Sequence, residues 1–203
     1  MPRDKSGTYT RIMKAAKEAF LKNGFEKTSI RDIASDAGVT SAALYRHCKD
    51  KEELFCMLVE PAITALTGWV DNHIKVSYEG MERGDYKGIK SQSEIDLIRN
   101  VGIPYKTEFK LLIEKSSGTR YEHFMHYLVE EHEKKMWQGL KDIASYGYKV
   151  KNVSREELHI LVSAYMTALF EPIIHDFEND KIEHYLETVA AFFMPGWHEL
   201  LGV

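Results

Sequence analysis

What this chain lacks narrows its class first. No stretch of its 203 residues approaches the roughly 20 consecutive apolar residues of a membrane-crossing helix. The longest apolar runs, such as Val189 to Met194, have the size of core segments, so no membrane partner is expected. Only two cysteines occur, Cys48 and Cys56, at a spacing that suits neither a disulfide framework nor a metal knuckle, which fits a reducing cytoplasm. The N-terminus carries basic residues with no apolar segment behind them, so a secretory signal is not expected. Alternating strand patterns, internal repeats and low-complexity tracts are missing. So are the usual marks of an enzyme: a glycine-rich phosphate loop after a strand, a nucleophile elbow, a paired-carboxylate signature. No enzyme is expected, and no cofactor is called for.

What is present suffices for a folded core. Hydrophobic residues make up 44% of the chain and charged residues 29%, ordinary values for a globular protein. The net charge of −4 conceals an asymmetry. Residues 1–52 hold 11 of the 27 Lys/Arg and 7 of the 31 Asp/Glu, a net of +4, and the remainder carries −8. A basic segment joined to an acidic one suits a nucleic-acid contact at one end, because neutralising phosphates supplies much of such affinity.

The apolar spacing reads as helix throughout. Ile12, Ala15, Ala16, Ala19 and Phe20 share one face over about residues 8–22, and Asn23-Gly24 is a stop signal. Ser29 is a candidate cap for a second helix, with Asp32 three residues on and a stripe of Ile30, Ile33, Ala34 and Ala37. Gly38 breaks it. Thr40 or Ser41 can cap a third helix ending near His47, with Val39 and Leu44 inward. Asp50 and Glu53 open a fourth, running from Lys51 toward Tyr78, in which Pro61 predicts a kink or break between Met57 and Pro61. The glycine-rich stretch Glu79 to Gly102 predicts a loop and a short helix. Further helices are expected at about 105–115, 119–146, 154–177 and 180–201, the third opened by a Ser154/Glu157 capping box. The fold class is all-α, with about nine helices. A three-helix helix-turn-helix domain is expected over residues 1–50, and a helical effector-binding and dimerisation domain over 51–203.

Two short helices joined by a glycine turn and buttressed by a preceding helix are the parts of a helix-turn-helix. The first turn of the second is small (Ser41, Ala42, Ala43), which lets it approach base edges closely. Tyr45, Arg46 and His47 add donors on the outer face, and Lys49 and Lys51 follow. The stretch Ala16 to Leu54 resembles the DNA-binding domain of the TetR (tetracycline-repressor-like) family. The resemblance rests on Phe20–Gly24–Phe25, Thr28-Ser29-Ile30, Ile33-Ala34, Ala37-Gly38-Val39, Leu44-Tyr45 and Lys51-Glu52-Glu53-Leu54. One departure is Cys48, where such proteins usually carry an aromatic residue.

The resemblance implies roles. Thr28, Ser29 and Arg31 would meet phosphates or flanking bases; Thr40, Ser41, Ala42 and Ala43 would face the major groove; Tyr45, His47 and Lys51 would clamp phosphates. Arg46 is the candidate for reading guanine, and the alanines for contacting a thymine methyl. Arg3, Lys5 and Arg11 form a basic N-terminal arm that can add backbone or minor-groove contacts. The implied protein is a cytoplasmic homodimeric repressor of a palindromic double-stranded DNA operator, released by an unidentified small-molecule effector. The alternative is a small-molecule binding or sequestering protein with vestigial DNA binding.

In the C-terminal part, Leu158, Leu161, Val162, Tyr165, Leu169 and Ile173 form one stripe, and Ile182, Tyr185, Leu186, Val189, Phe193 and Trp197 another. In the family the last two long helices meet their symmetry mates, so Leu158, Val162, Tyr165, Leu169, Ile173, Tyr185, Val189, Phe193 and Trp197 are the expected dimer contacts. Trp69, His73, Tyr105, Phe109, Leu112, Phe124, Tyr127, Met166 and Phe170 are the candidate lining of a mostly apolar effector pocket. Two histidine groupings, His123/His126 with Glu122 and Glu130, and His175/Asp176/His184, have spacings a metal can use. With nine histidines in the chain such pairs arise by chance, and no metal is expected.

Overall fold

The computed structural model describes residues 5–82, 94–145 and 149–201. Its described residues form nine α-helices and no strand. In order they are α1 (Lys5–Lys27), α2 (Ile30–Asp36), α3 (Ser41–Leu44), α4 (Lys51–Glu82), α5 (Glu94–Leu97), α6 (Lys106–Glu114), α7 (Phe124–Ser145), α8 (Arg155–Ile174) and α9 (Asn179–Leu201). A π-helical segment, Ile98–Gly102, continues α5. Gly84 and Gly88, part of the expected loop, lie outside the described residues.

The chain gathers into two compact units that interleave along the sequence instead of dividing at residue 50. Residues 1–72 and 105–123 make the first, residues 73–104 and 124–203 the second. In the first, α1 packs on α2 and α6, and α2 on α3. Gly24 adopts φ 76°, ψ 166° and breaks the path of α1. That turn is open to glycine at no steric cost, and it lets Phe25 fold back onto the core. Its ring lies 5.8 Å from Phe20 and 5.6 Å from Phe55, which themselves meet at 5.3 Å. All three rings are buried, and each contributes on the order of 2 kcal/mol by leaving water. The Phe25 amide donates to the Lys115 carbonyl at 2.9 Å, and the Lys17 ammonium meets Glu108 at 2.5 Å, so α6 and the turn after it complete this core.

The caps read from the sequence are in place. Ser29 Oγ accepts from the Asp32 amide at 3.1 Å, Thr40 Oγ1 from the Ala43 amide at 3.1 Å, and Asp50 Oδ1 from the Glu53 amide at 2.7 Å. Of the two candidates for opening α3, the cap is Thr40. Ser154 and Glu157 close a full capping box at 3.1 Å and 2.7 Å. Ser154→Ala should therefore lower stability by about 1 kcal/mol, readable as a shift in the urea midpoint.

Pro61 does not break α4, which runs on to Glu82. The proline is exposed, and its neighbours Leu58, Val59, Ala62 and Leu66 are buried, so packing holds the helix across the missing hydrogen bond.

In the second unit, α8 packs against α7, α9 and the π segment. Tyr165 sits at its centre, its ring 5.0 Å from Phe193 and 5.9 Å from Trp197. Tyr185 donates to the Ala168 carbonyl at 3.0 Å, and Arg155 Nε to the buried carboxylate of Glu133 at 2.8 Å. By length and composition alone, Lys51–Asn72 and Arg155–Ile174 would suffice to cross a membrane. Within its unit α8 is a core helix, with Leu158, Val162, Tyr165, Met166, Leu169, Phe170, Pro172 and Ile173 all buried.

Candidate nucleic-acid interface

The outward side of the first unit is built from α2, α3 and the first turns of α1. Gly38 turns the chain with φ +66°, sending its amide to the Ser35 carbonyl and the next amide, Val39, to Ala34. This tight turn is what sets α3 at an angle to α2. Leu44 anchors α3 with no exposure at all. With that one side chain inward, the other positions are shown to solvent: Thr40, Ala42, Tyr45 and Arg46 are exposed, while Ser41, Ala43 and His47 are half-buried. Tyr45 is 51% exposed, a large value for an aromatic ring with core beside it. Ser29 and Arg31, at the start of α2, are exposed as well.

Beside this helix lies a groove of about 660 Å³ lined by Gly7, Thr8, Arg11, Gly38, Val39, Thr40, Ala43 and Arg46. It brings Arg46 together with Arg11, a residue of a different helix far back in the sequence. Tyr9, with Gly7 and Thr8, was missed by reasoning from sequence; its ring stands 6.1 Å from that of His47. The signal that could have found it is weak, since it is only a polar aromatic near the start of a helix.

Two expected DNA-contacting residues are committed elsewhere. Thr28 is buried, and its hydroxyl donates to the carbonyls of Gly24 at 2.7 Å and Ala19 at 3.2 Å. The one hydroxyl hydrogen is thus shared between two carbonyls on either side of the last turn before the break at Gly24. The Lys51 ammonium donates to the carbonyls of Phe25 at 2.7 Å, Thr28 at 2.9 Å and Glu26 at 3.3 Å, and lies 4.2 Å over the Phe25 ring. Burial lowers its pKa, with the Glu26 carboxylate acting in the other direction. An ammonium has three donors, and here three carbonyls receive them. Both side chains are thus ties of the α1–α2 turn, positioned by contacts across nine and twenty-six residues of sequence.

A second tie comes from the turn after α6. The Arg120 amide and its Nε both donate to Glu52 Oε1, at 3.0 Å and 3.2 Å, which holds the Glu52 carboxyl below its usual range. Cys48, in the turn between α3 and α4, is buried at 4% exposure. Burial, then the carboxylates of Glu53 and Asp50, push its thiol up to about 11, so the thiolate is scarce at neutral pH. Cys48 should resist alkylation by iodoacetamide in the folded protein and react once urea unfolds it; rapid native labelling read by mass spectrometry would contradict this.

Residues 12–56 match the description "Bacterial regulatory proteins, tetR family". Residues 12–56 belong to the TetR family. The match spans the helix-turn-helix whole, from the first buried residue of α1 to the second turn of α4. The HTH-type transcriptional regulator TtgR of Pseudomonas putida is 43% identical over 53 residues, which cover 26% of this chain and 25% of that one. The HTH-type transcriptional repressor KstR2 of Rhodococcus jostii is 25% identical over 136 residues, 67% of this chain and 64% of that one. The chain therefore spans from about a quarter to under two thirds of the length of the curated relatives it matches. Among solved structures, the TetR-family regulator PfmR of Thermus thermophilus aligns over 94% of this chain and 96% of its own, with TM-score 0.56 and 21% identity. A TetR-family regulator from Chloroflexus aurantiacus covers 99% and 89%, with TM-score 0.55 and 15% identity. The TetR fold thus extends along the chain well beyond the segment that sequence alone links to the family.

Outside the TetR-family segment, the expected site residues are placed differently from one another. Of the effector-lining candidates, Trp69, Tyr105, Phe109 and Leu112 belong to the first unit, and His73, Phe124, Tyr127, Met166 and Phe170 to the second. Phe109, Leu112, Met166 and Phe170 are core positions of their units, Phe124 is buried, and Tyr127 is 63% exposed. The side chain of His73 lies outside the described residues.

The expected dimer stripe turns inward. Leu158, Val162, Tyr165, Leu169, Ile173, Val189 and Trp197 are buried by their own chain, with Tyr185 and Phe193 half-buried against the same core. The periodicity marked the core face of α8 and α9, as the larger and more regular apolar stripe of a helix usually does. Left outside are Ile160, 67% exposed, Leu161, 39%, and Phe192, 77%.

No group of three or more His, Cys, Asp or Glu among the described residues is arranged to hold a metal ion. His126 pairs with Glu130 at 3.3 Å, and His175 with Glu171 at 2.9 Å, each within one helix.

Proposed function

We propose that this protein is a DNA-binding transcriptional repressor that acts as a homodimer in the cytoplasm and reads duplex DNA with α3. The observation that carries the reading is the outward face of Thr40, Ala42, Tyr45 and Arg46 on a segment that belongs to the TetR family. Small side chains at Ala42 and Ala43 admit the helix to the major groove, where apolar contact with a thymine methyl is available. Tyr45, His47, Ser29 and Arg31 surround that face with donors for phosphate oxygens, which fix register. One such head reads a half-site, so a two-fold dimer would take a palindrome with centres about 34 Å apart or a multiple of that.

Exposed Ile160 and Leu161 on α8 and Phe192 on α9 support the pairing of two copies through these helices. Apolar side chains this exposed on the last two helices gain by being covered. The effector is a small molecule bound in the helical part, and α4, one unbroken helix with residues in both units, is the element through which it would act. A coupling of about 1–3 kcal/mol would change DNA affinity roughly 5- to 150-fold.

The test is a gel shift against the DNA flanking the protein's own gene. Wild type should retard it, and Tyr45→Ala should weaken binding by about tenfold, a loss of ~1.4 kcal/mol, without shifting the thermal midpoint. Failure of the wild-type protein to retard any flanking fragment at low salt would overturn the reading.

A further inference from the structure

The groove beside α3 joins Thr40, Ala43 and Arg46 of the reading head to Gly7, Thr8 and Arg11 of α1, which the reading above does not use. Of the eight residues lining it, two are arginines, two are threonines and none is acidic. Arg11 enters from α1 and Arg46 from the turn after α3, so the two cations are set by different elements and face one space. The Arg11 guanidinium reaches the turn between α2 and α3: a Cβ on Gly38 would stand 3.7 Å from Arg11 Nη1, ordinary contact distance. Arg11 Nη2 also approaches Thr8 Oγ1, at 3.5 Å, which leaves most of the guanidinium's five donors for another acceptor.

We propose that this groove is the seat of a single DNA backbone phosphate, gripped from opposite sides by Arg11 and Arg46. The inference rests on the DNA-binding reading above and adds to it a contact that α3 alone does not make. Charge complementarity names the occupant: the segment holding both arginines carries a net of +4, and a phosphate diester presents two anionic oxygens to guanidinium forks. The hydroxyls of Thr8, from α1, and Thr40, the cap of α3, line the same groove and can donate to the same group. Arg11 is then a positioning residue for α3, because a phosphate held from α1 fixes how the reading helix enters the groove.

Random-sequence duplex DNA tests this without a known operator. Binding is measured by fluorescence anisotropy across a salt series for wild type, Arg11→Ala, Arg11→Lys, Arg46→Ala and the Arg11→Ala/Arg46→Ala double variant, with Tyr45→Ala alongside. If one phosphate is shared, the double variant loses about 0.9 in the slope of log affinity against log salt, and two separate phosphates would give about 1.8. Arg11→Ala should weaken binding to every sequence alike, and Arg11→Lys should retain most of the slope. Because Arg11 is exposed, its variants should melt with the wild type.

Unchanged affinity and slope in Arg11→Ala, with Tyr45→Ala still impaired, would remove the groove from the interface and leave the DNA reading intact. A loss near 1.8 would overturn the shared seat. No duplex binding by wild type would overturn both readings together. Calorimetric titration with inorganic phosphate covers the free-anion source: Arg11-dependent binding there, with unaltered duplex slopes, would make the groove a free-phosphate site and overturn the proposal.

Discussion

Replacing Lys51 by alanine is expected to destabilise the protein by about 2–4 kcal/mol, because it removes a charged donor from three carbonyls at once. Two of those carbonyls, on Phe25 and Thr28, are partly buried, and without the ammonium they keep no comparable donor from α4. For a chain of this length each kcal/mol moves the melting midpoint by about 2–4 °C. Lys51→Met, which keeps the apolar stem over Phe25, should recover the packing but not the hydrogen bonds, and should fall between wild type and alanine. The distinguishing measurement is the salt dependence of DNA binding on those variants that remain folded. If Lys51 is a tie of the α1–α2 turn, the slope stays at its wild-type value while the midpoint falls. A slope lower by about one unit with an unmoved midpoint would return Lys51 to the role of phosphate clamp.

The second large effect concerns the outward face of α8 and α9. Phe192→Asp together with Ile160→Asp should convert the proposed dimer to a monomer, since a desolvated carboxylate in an apolar contact costs several kcal/mol. Analytical ultracentrifugation reads the mass directly. Because two linked heads gain on the order of 10²- to 10⁴-fold over one, operator affinity should collapse with the dimer even though every DNA-facing residue remains. Both side chains are exposed in the single chain, so its own fold should survive and the far-ultraviolet spectrum should not change. Leu158→Ala supplies the contrast. That residue is 1% exposed, and its loss should cost about 2–5 kcal/mol of folding stability without changing the mass of what remains folded. A double-aspartate variant that stays dimeric would place the contact elsewhere.

The two results bear on one regulatory question. In a dimeric reader the affinity for a palindrome depends on how firmly each α3 is held and how the pair is spaced. Lys51, Thr28 and the Glu52–Arg120 pair all act on the first of these, since they bind the α1–α2 turn, α4 and the turn after α6 into one unit. That turn is far from α3 in sequence yet belongs to the same unit. A change in α6 therefore has a direct hydrogen-bonded route to the first turn of α4, through Arg120.

Much of the fold follows from short-range chemistry, and that part was legible from the residues in order. Each helix start with a hydroxyl or carboxylate cap, the stop at Gly24, the turn at Gly38 and the all-α class depend on groups within about four positions of one another. Those are interactions a sequence states outright. The exposed face of α3 was equally legible, because a helix of four residues anchored by Leu44 has little choice about which side to show. The tertiary structure decided what depends on distant partners. Thr28 and Lys51 look like surface donors until the carbonyls they serve, on both sides of the break at Gly24, are brought to them. The apolar stripes of α8 and α9 are amphipathic signals with no label for what they face. Only packing shows that Tyr165 and Leu169 meet their own chain while Ile160 and Phe192 do not. Burial is a property of the assembled core, and periodicity gives the angle of a face but not its neighbour.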